Sequence, residues 1–253
     1  MTTFVYETVT SSLDDDGLRT LLLNRPAQLN AMNRQLISDV TRAFDDANAD
    51  EDTRVIVLSG TGRAFCAGDD RHQHQHPASE TEARDFVELI QNATRAIVLG
   101  DKPVVGAING WAVGGGFEWA INCDFPIWSQ SAQGFFPEVS LNLFVTGGVT
   151  ALLPALVGLN RAREMLYFGE RYSAQSLLEM GVAWRVVADE QLMDTARATA
   201  LRLARLPPYS VRAMKRVLRH TTSVDFEAAL RLESEATIAG FMDPKTTALL
   251  KDF

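Results

Sequence analysis

The sequence predicts an α/β fold that ends in a helical region, and three observations carry that expectation. Strand-like apolar runs alternate with helical patterns along most of the chain. Two of those runs empty directly into glycine, in "FCAGDD" and "AVGGGFE". Beyond about Asp189 strand patterns cease and helical spacing takes over. The expected organisation is an α/β body over 1–190 and a helical C-terminal region over 191–253.

Taken in order, 4–9 reads as a strand, "DDDG" as a turn and 18–23 as a second strand, so a hairpin opens the chain. A helix is expected over 33–48, with Leu36, Val40, Ala43, Phe44 and Ala47 on one face. The strand at 55–58 runs into the loop "SGTGRAFCAGDDRHQHQHP". A second helix over 79–98 places Phe86, Leu89, Ile90 and Ala93 at helical spacing. The strand at 103–108 leads to the glycines and a short helix over 115–122, and "CDFPIWS" is a further strand. "AQGFFPEVSLNLFVTGG" reads as loop-rich. Helices follow over 190–206, 209–221, 224–239 and 244–251, the first two parted by "LPP".

With 253 residues, 46% of them hydrophobic, the chain can bury one large core. A formal charge of −8 without a basic run argues against a nucleic-acid binder, so no nucleic-acid partner is expected. Cys66 and Cys123 form no CxxC pattern and fit reduced thiols. No signal-like N-terminus and no apolar run of about 18 residues is visible, so a soluble cytoplasmic protein without membrane association is expected.

"GWAVGGGFEWA", 110–120, resists reading as ordinary structure, because glycine inside a helix costs about 1 kcal/mol relative to alanine. Glycine lets a ligand approach the backbone, and amides at a helix start are free to hold a negative oxygen. Two such amides, one from each glycine loop, would form an oxyanion hole. Glu118 lies one turn beyond the glycines. Glu138, between Phe136, Pro137 and Val139, stands in an apolar setting that raises a carboxyl pKa. Two such acids beside an oxyanion hole can move protons and activate water.

"KPVVGAINGWAVGGGFEWAINCDF" at 102–125 resembles the signature of the enoyl-CoA hydratase/isomerase (crotonase) superfamily. "LNRPAQLNAM", "GRAFCAGDD" and "ERYSAQSLLEMGVAWRVV" extend the resemblance over nearly the whole chain. It implies a crotonase-like fold of repeated ββα turns, a C-terminal helical trimerisation region, and a homotrimer or dimer of trimers. It implies oxyanion amides at Asp69 and Gly115, water activation by Glu118 and proton exchange at the α-carbon by Glu138. Substrate and CoA contacts fall on Arg25, Gln28, Ala31, Ala67, Gly68 and Gly114, and Lys251 would reach a neighbouring subunit's nucleotide. The implied partner is an acyl-CoA thioester and the implied activity is enoyl-CoA hydratase. No metal or redox cofactor is expected, coenzyme A being part of the substrate. Asp69 is expected to turn its side chain away from the amide site.

One passage departs from the hydratase pattern. After Glu138 the run is "EVSLNLFVTGG", with Asn142 and Thr146 at glycine positions and Phe144 and Val145 adding bulk. The rival readings are therefore a Δ3,Δ2-enoyl-CoA isomerase that shuttles one proton on Glu138 and a catalytically silent acyl-CoA-binding homologue. His72, His74 and His76 alternate but lack the acids of a metal site. They are read as a mobile loop near the acyl pocket, and Cys66 as a structural thiol without a basic partner. Phe86, Leu89 and Ile90 border core or acyl chain, and Phe135, Phe136 and Phe144 pack or narrow the pocket.

Overall fold

In a computed structural model of the chain, residues 3–220 and 226–252 are described. The body opens with β1 (Thr3–Val5), β2 (Val9–Leu13) and β3 (Leu18–Leu23), followed by α1 (Arg34–Ala49). The single strand expected over 4–9 is in fact two, and the hairpin around "DDDG" joins β2 to β3. The break has a side-chain cause. Tyr6 donates from its hydroxyl to Asp46, and Thr8 donates from N and Oγ1 to Asp39 Oδ2, which draws 6–8 towards α1.

A repeat follows in which a long strand, a short strand and a helix succeed one another. It comprises β4 (Val55–Gly60), β5 (Ala64–Cys66) and α2 (Glu80–Val98), then β6 (Val104–Ile108), β7 (Trp111–Val113) and α3 (Gly115–Ile121). The third round has β8 (Phe125–Ser129), β9 (Gln133–Phe135), a 3-10 turn at Glu138–Leu141 and α4 (Val149–Val157). Then come α5 (Leu159–Phe168), β10 (Tyr172–Ser173), α6 (Ala174–Glu179) and β11 (Arg185–Val187). The chain closes with α7 (Leu192–Ala204), α8 (Pro208–His220), α9 (Phe226–Met242) and α10 (Pro244–Asp252).

The long strands form a seven-stranded sheet in the order β1-β2-β3-β4-β6-β8-β11, parallel from β3 onward. The short ones form a second sheet, β10-β9-β7-β5. These are the ββα turns expected from the sequence. Alternation along β4 divides the core: Val55 and Val57 face α7 through Ala196 and Ala200, while Ile56 and Leu58 face the main core with Phe44 and Trp119. Asn33 caps α1 by accepting from Leu36 N, and Ser79 caps α2 by accepting from Glu82 N.

Of the helices after residue 190, α7, α9 and α10 pack on the chain's own body. α7 covers the outer face of the large sheet. α9 lies along α2, with Phe226 and Leu230 against Val98, and Ile238 and Phe241 against Ala83 and Val87. Ends of the expected helices at 221 and 224 lie outside the described residues. Among the described residues, no helix is long and apolar enough to cross a membrane.

Candidate active site

The two glycine loops meet edge to edge. β5 pairs with β7, and a Cβ on Gly68 would lie 2.8 Å from Val113 O, so only glycine permits this approach. Met32 N donates to Gly68 O at 2.7 Å and Asp70 N to Met32 O at 2.9 Å, which pins the backbone on both sides of Asp69. The Asp69 amide itself, like that of Gly115 at the start of α3, finds no acceptor among the described residues. Asp69 turns its carboxylate to His74, whose Nδ1 lies 3.1 Å from Oδ2.

Gly114 has φ +52° and ψ −124°, and a Cβ there would lie 2.5 Å from Glu138 Oε1. The glycine is thus required by the neighbouring acid as well as by the turn. Its carbonyl accepts from Glu118 N, which starts α3 and sets the direction of the Glu118 side chain.

Glu118 is 2% exposed. Its Oε1 accepts from Thr146 N at 2.7 Å and its Oε2 from Thr146 Oγ1 at 2.6 Å. Burial pushes its pKa up to about 7, and the two Thr146 bonds, which favour the charged form, act against that rise. Glu138 lies across the cavity at the start of the 3-10 turn. Its Oε2 is shielded and finds no hydrogen-bond partner among the described residues. Burial, and after it the charge of Glu118, holds its pKa well above the usual carboxylate range.

Both acids line one cavity of about 100 Å³ together with Ala67, Gly68, Asp69, Gly114 and Gly115. Ile90, Leu141 and Phe144 give it an apolar side, and Thr237, Phe241 and Leu250 reach it from α9 and α10. Phe144 is on the pocket wall, whereas Phe136 stacks on Phe117 inside the core and Phe135 packs on Trp111. The cavity borders a polar space of about 400 Å³ near His74 and Arg34, with Met32, Asp69 and Phe241 common to both.

A wider cleft of about 640 Å³ adjoins on the other side of Ala67 and Asp69, lined by Gln28, Ala31, Arg63, Trp111 and Arg171. Gln28, Ala31 and Ala67, on which the resemblance places substrate contacts, all line this cleft. Arg25 does not join them: its guanidinium donates to Ala31 O and to Asp70 Oδ2, 2.9 Å away, and braces the loop from beneath. Lys251 is exposed on α10. The three histidines diverge, His72 to the wide cleft, His74 to Asp69 and His76 to Thr247. Cys66 is buried, and burial pushes its thiol up to about 12, which suits a packing role.

Sequence reasoning singled out Thr146 as standing at a glycine position of the family pattern and missed its role as the partner of Glu118. It also missed Arg171, which is distant in sequence from the rest of the cleft, and Arg63, which stands in the quoted glycine loop four residues before Ala67.

The site sits in a chain with close relatives. The enoyl-CoA hydratase/isomerase family matches residues 14–244. A crotonyl-CoA hydratase of Syntrophomonas wolfei is 33% identical over 223 residues, 88% of this chain and 85% of that protein. A 1,2-epoxyphenylacetyl-CoA isomerase of Escherichia coli is 32% identical, covering 87% and 86%. Among solved structures, an enoyl-CoA hydratase/isomerase from Mycobacterium paratuberculosis superposes with TM-score 0.92 at 27% identity, over 99% and 100% of the chains. An enoyl-CoA hydratase from Bacillus anthracis gives 0.80 at 32% identity, over 92% and 90%. From the glycine loops to the last helices, in sequence and in fold, this chain belongs to the enoyl-CoA hydratase/isomerase family.

Proposed function

We propose that the protein is an enoyl-CoA hydratase, adding water reversibly across the double bond of a trans-2-enoyl-CoA. One observation carries the reading: two carboxyls in different environments, Glu118 buried and Glu138 half-buried, and two unspent amides line one cavity. The thioester oxygen takes up the Asp69 and Gly115 amides. Glu118, ionised in part near neutral pH, removes a proton from water as its oxygen bonds to the β-carbon. Electron density moves to the thioester oxygen, giving an enolate that the amides hold. Glu138, kept protonated by burial, delivers its proton to the α-carbon. Dehydration is the same path reversed. Gly68 and Gly114 let the loops close on the thioester, and Gln28, Ala31 and Ala67 border the cleft that takes the CoA moiety.

Incubation with 2-enoyl- and 3-enoyl-CoA thioesters, followed by chromatography and mass spectrometry, tests this. A gain of one water on the 2-enoyl substrates is expected, lost in E118Q by about 10²-fold or more while the thioester still binds. Hydration at the parental rate in E118Q would remove the mechanism. A second reading has its own support: Thr146 occupies both Glu118 oxygens while Glu138 Oε2 stays open, which suits a single-acid isomerase. Unchanged mass with a shifted retention time on 3-enoyl substrates would establish it. Absence of any product, with binding retained, would mark a silent homologue. Residues 191–253 are proposed to carry a trimer or dimer of trimers, which sedimentation would read directly.

A further inference from the structure

We propose that Glu233, on α9, is a positioning residue for Glu118: it fixes the turn at 146–150, and that turn holds the reacting carboxylate through Thr146. The proposal rests on reading Glu118 as a reacting group.

Glu233 has no solvent exposure. Its Oε1 accepts from Thr150 N at 2.8 Å and Thr150 Oγ1 at 2.6 Å. Its Oε2 accepts from Gly148 N at 2.8 Å and Gln91 Nε2 at 3.4 Å. Gln91 in turn accepts from Gly147 N at 3.2 Å. The amides of Thr146, Gly147, Gly148 and Thr150 are thus all spent on side chains from α3, α2 and α9. Such amides at a helix start need partners. The cap residue of α4 is Gly148, which has no side chain to offer, so the partners come from elsewhere in the chain.

Docking α9 does not call for a buried acid. Phe226, Leu230, Ile238 and Phe241 already bury apolar surface against α2 and α4, and a buried carboxylate costs free energy unless fully bonded. The bonds of Glu233 go instead to the turn that touches Glu118. A Cβ on Gly147 would lie 2.7 Å from Glu118 Cβ, so a small shift of this turn moves the acid. Thr146 converts the placement of the turn into the placement of both carboxylate oxygens.

A double-mutant cycle on the full chain tests the coupling. E233Q keeps one acceptor and the shape of the side chain, but sets a second donor against Gly148 N. It is expected to lower kcat about tenfold with KM within twofold, the size of losing one charge-assisted bond. In a T146V background the same change should cost less than threefold, since the two act through one path. Equal costs in both backgrounds, or a loss confined to KM, would overturn the proposal. T150V, which removes one of the four bonds, serves if E233Q fails to fold, with about a threefold loss in kcat expected and none overturning it.

A readout free of turnover is the infrared carboxyl stretch of Glu118, assigned by its disappearance in E118Q. It should shift in E233Q or T150V, and an unmoved band would overturn the proposal. A chain that turns over no thioester would defeat the hydratase reading, and the infrared band would still decide this one.

Discussion

Thr146 gives both its backbone N–H and its hydroxyl to the two oxygens of Glu118, at 2.7 and 2.6 Å. One residue thereby fixes the orientation of the buried acid and tempers the rise in pKa that burial causes.

Removing the hydroxyl should weaken Glu118 as a base. The bond favours the ionised form, so T146V should raise the Glu118 pKa above about 7. Less of the base is then ionised at pH 7, and the acidic limb of the kcat profile should move to higher pH. A pH–rate profile of T146V against the parent checks the direction, and an unmoved limb would refute the assignment.

Glu138 should cost stability in return for its chemistry. Its folded-state pKa is raised by burial, so the folded chain binds its proton more tightly than the unfolded chain does. Its contribution is therefore most favourable below the unfolded value and is lost as pH rises through the folded value. E138Q, neutral at every pH, should be more stable than the parent at pH 8 by roughly 1–3 kcal/mol, with the gap closing towards pH 5. Urea denaturation at the two pH values measures it.

Gly114 is held by two independent demands, its φ of +52° and the 2.5 Å approach to Glu138 Oε1. G114A should displace the acid and lower turnover at least tenfold, with a stability loss of about 1–3 kcal/mol. Steady-state kinetics beside thermal melting separates the two effects.

Phe241 stands between the 100 Å³ cavity and the 400 Å³ space beside it. F241A should join them and shift preference towards longer acyl chains, seen as a rise in relative kcat/KM from four-carbon to eight-carbon enoyl-CoA. Its stability cost should be about 3 kcal/mol.

The parts of this molecule that could be read from sequence are those whose cause is local. β4 and β6 announce themselves as apolar runs, and α1 and α2 by the spacing of their apolar residues. The glycines at 114–116 stand out because they violate ordinary helix preference, and the two acids because their sequence neighbours are apolar. The short strands β5, β7, β9 and β10 have two or three residues each, too few to show a period, and they exist through pairing in the second sheet. The split of the first strand depends on Asp39 and Asp46, more than thirty residues away. Thr146 and Glu233 lie 28 and 85 residues from what they hold, and Arg171 lies about a hundred residues along the chain from Ala67, with which it lines the cleft, so no short window of sequence contains such a pair.

The cavity has its two acids and the Asp69 and Gly115 amides on one side, borne by the glycine loops, α3 and the turn at Glu138, and its apolar end wall in part on α9 and α10. Substitutions at Phe241 or Leu250 therefore reshape the apolar end of the cavity without removing either acid. A lineage with this layout can change what it accepts while inheriting how it reacts.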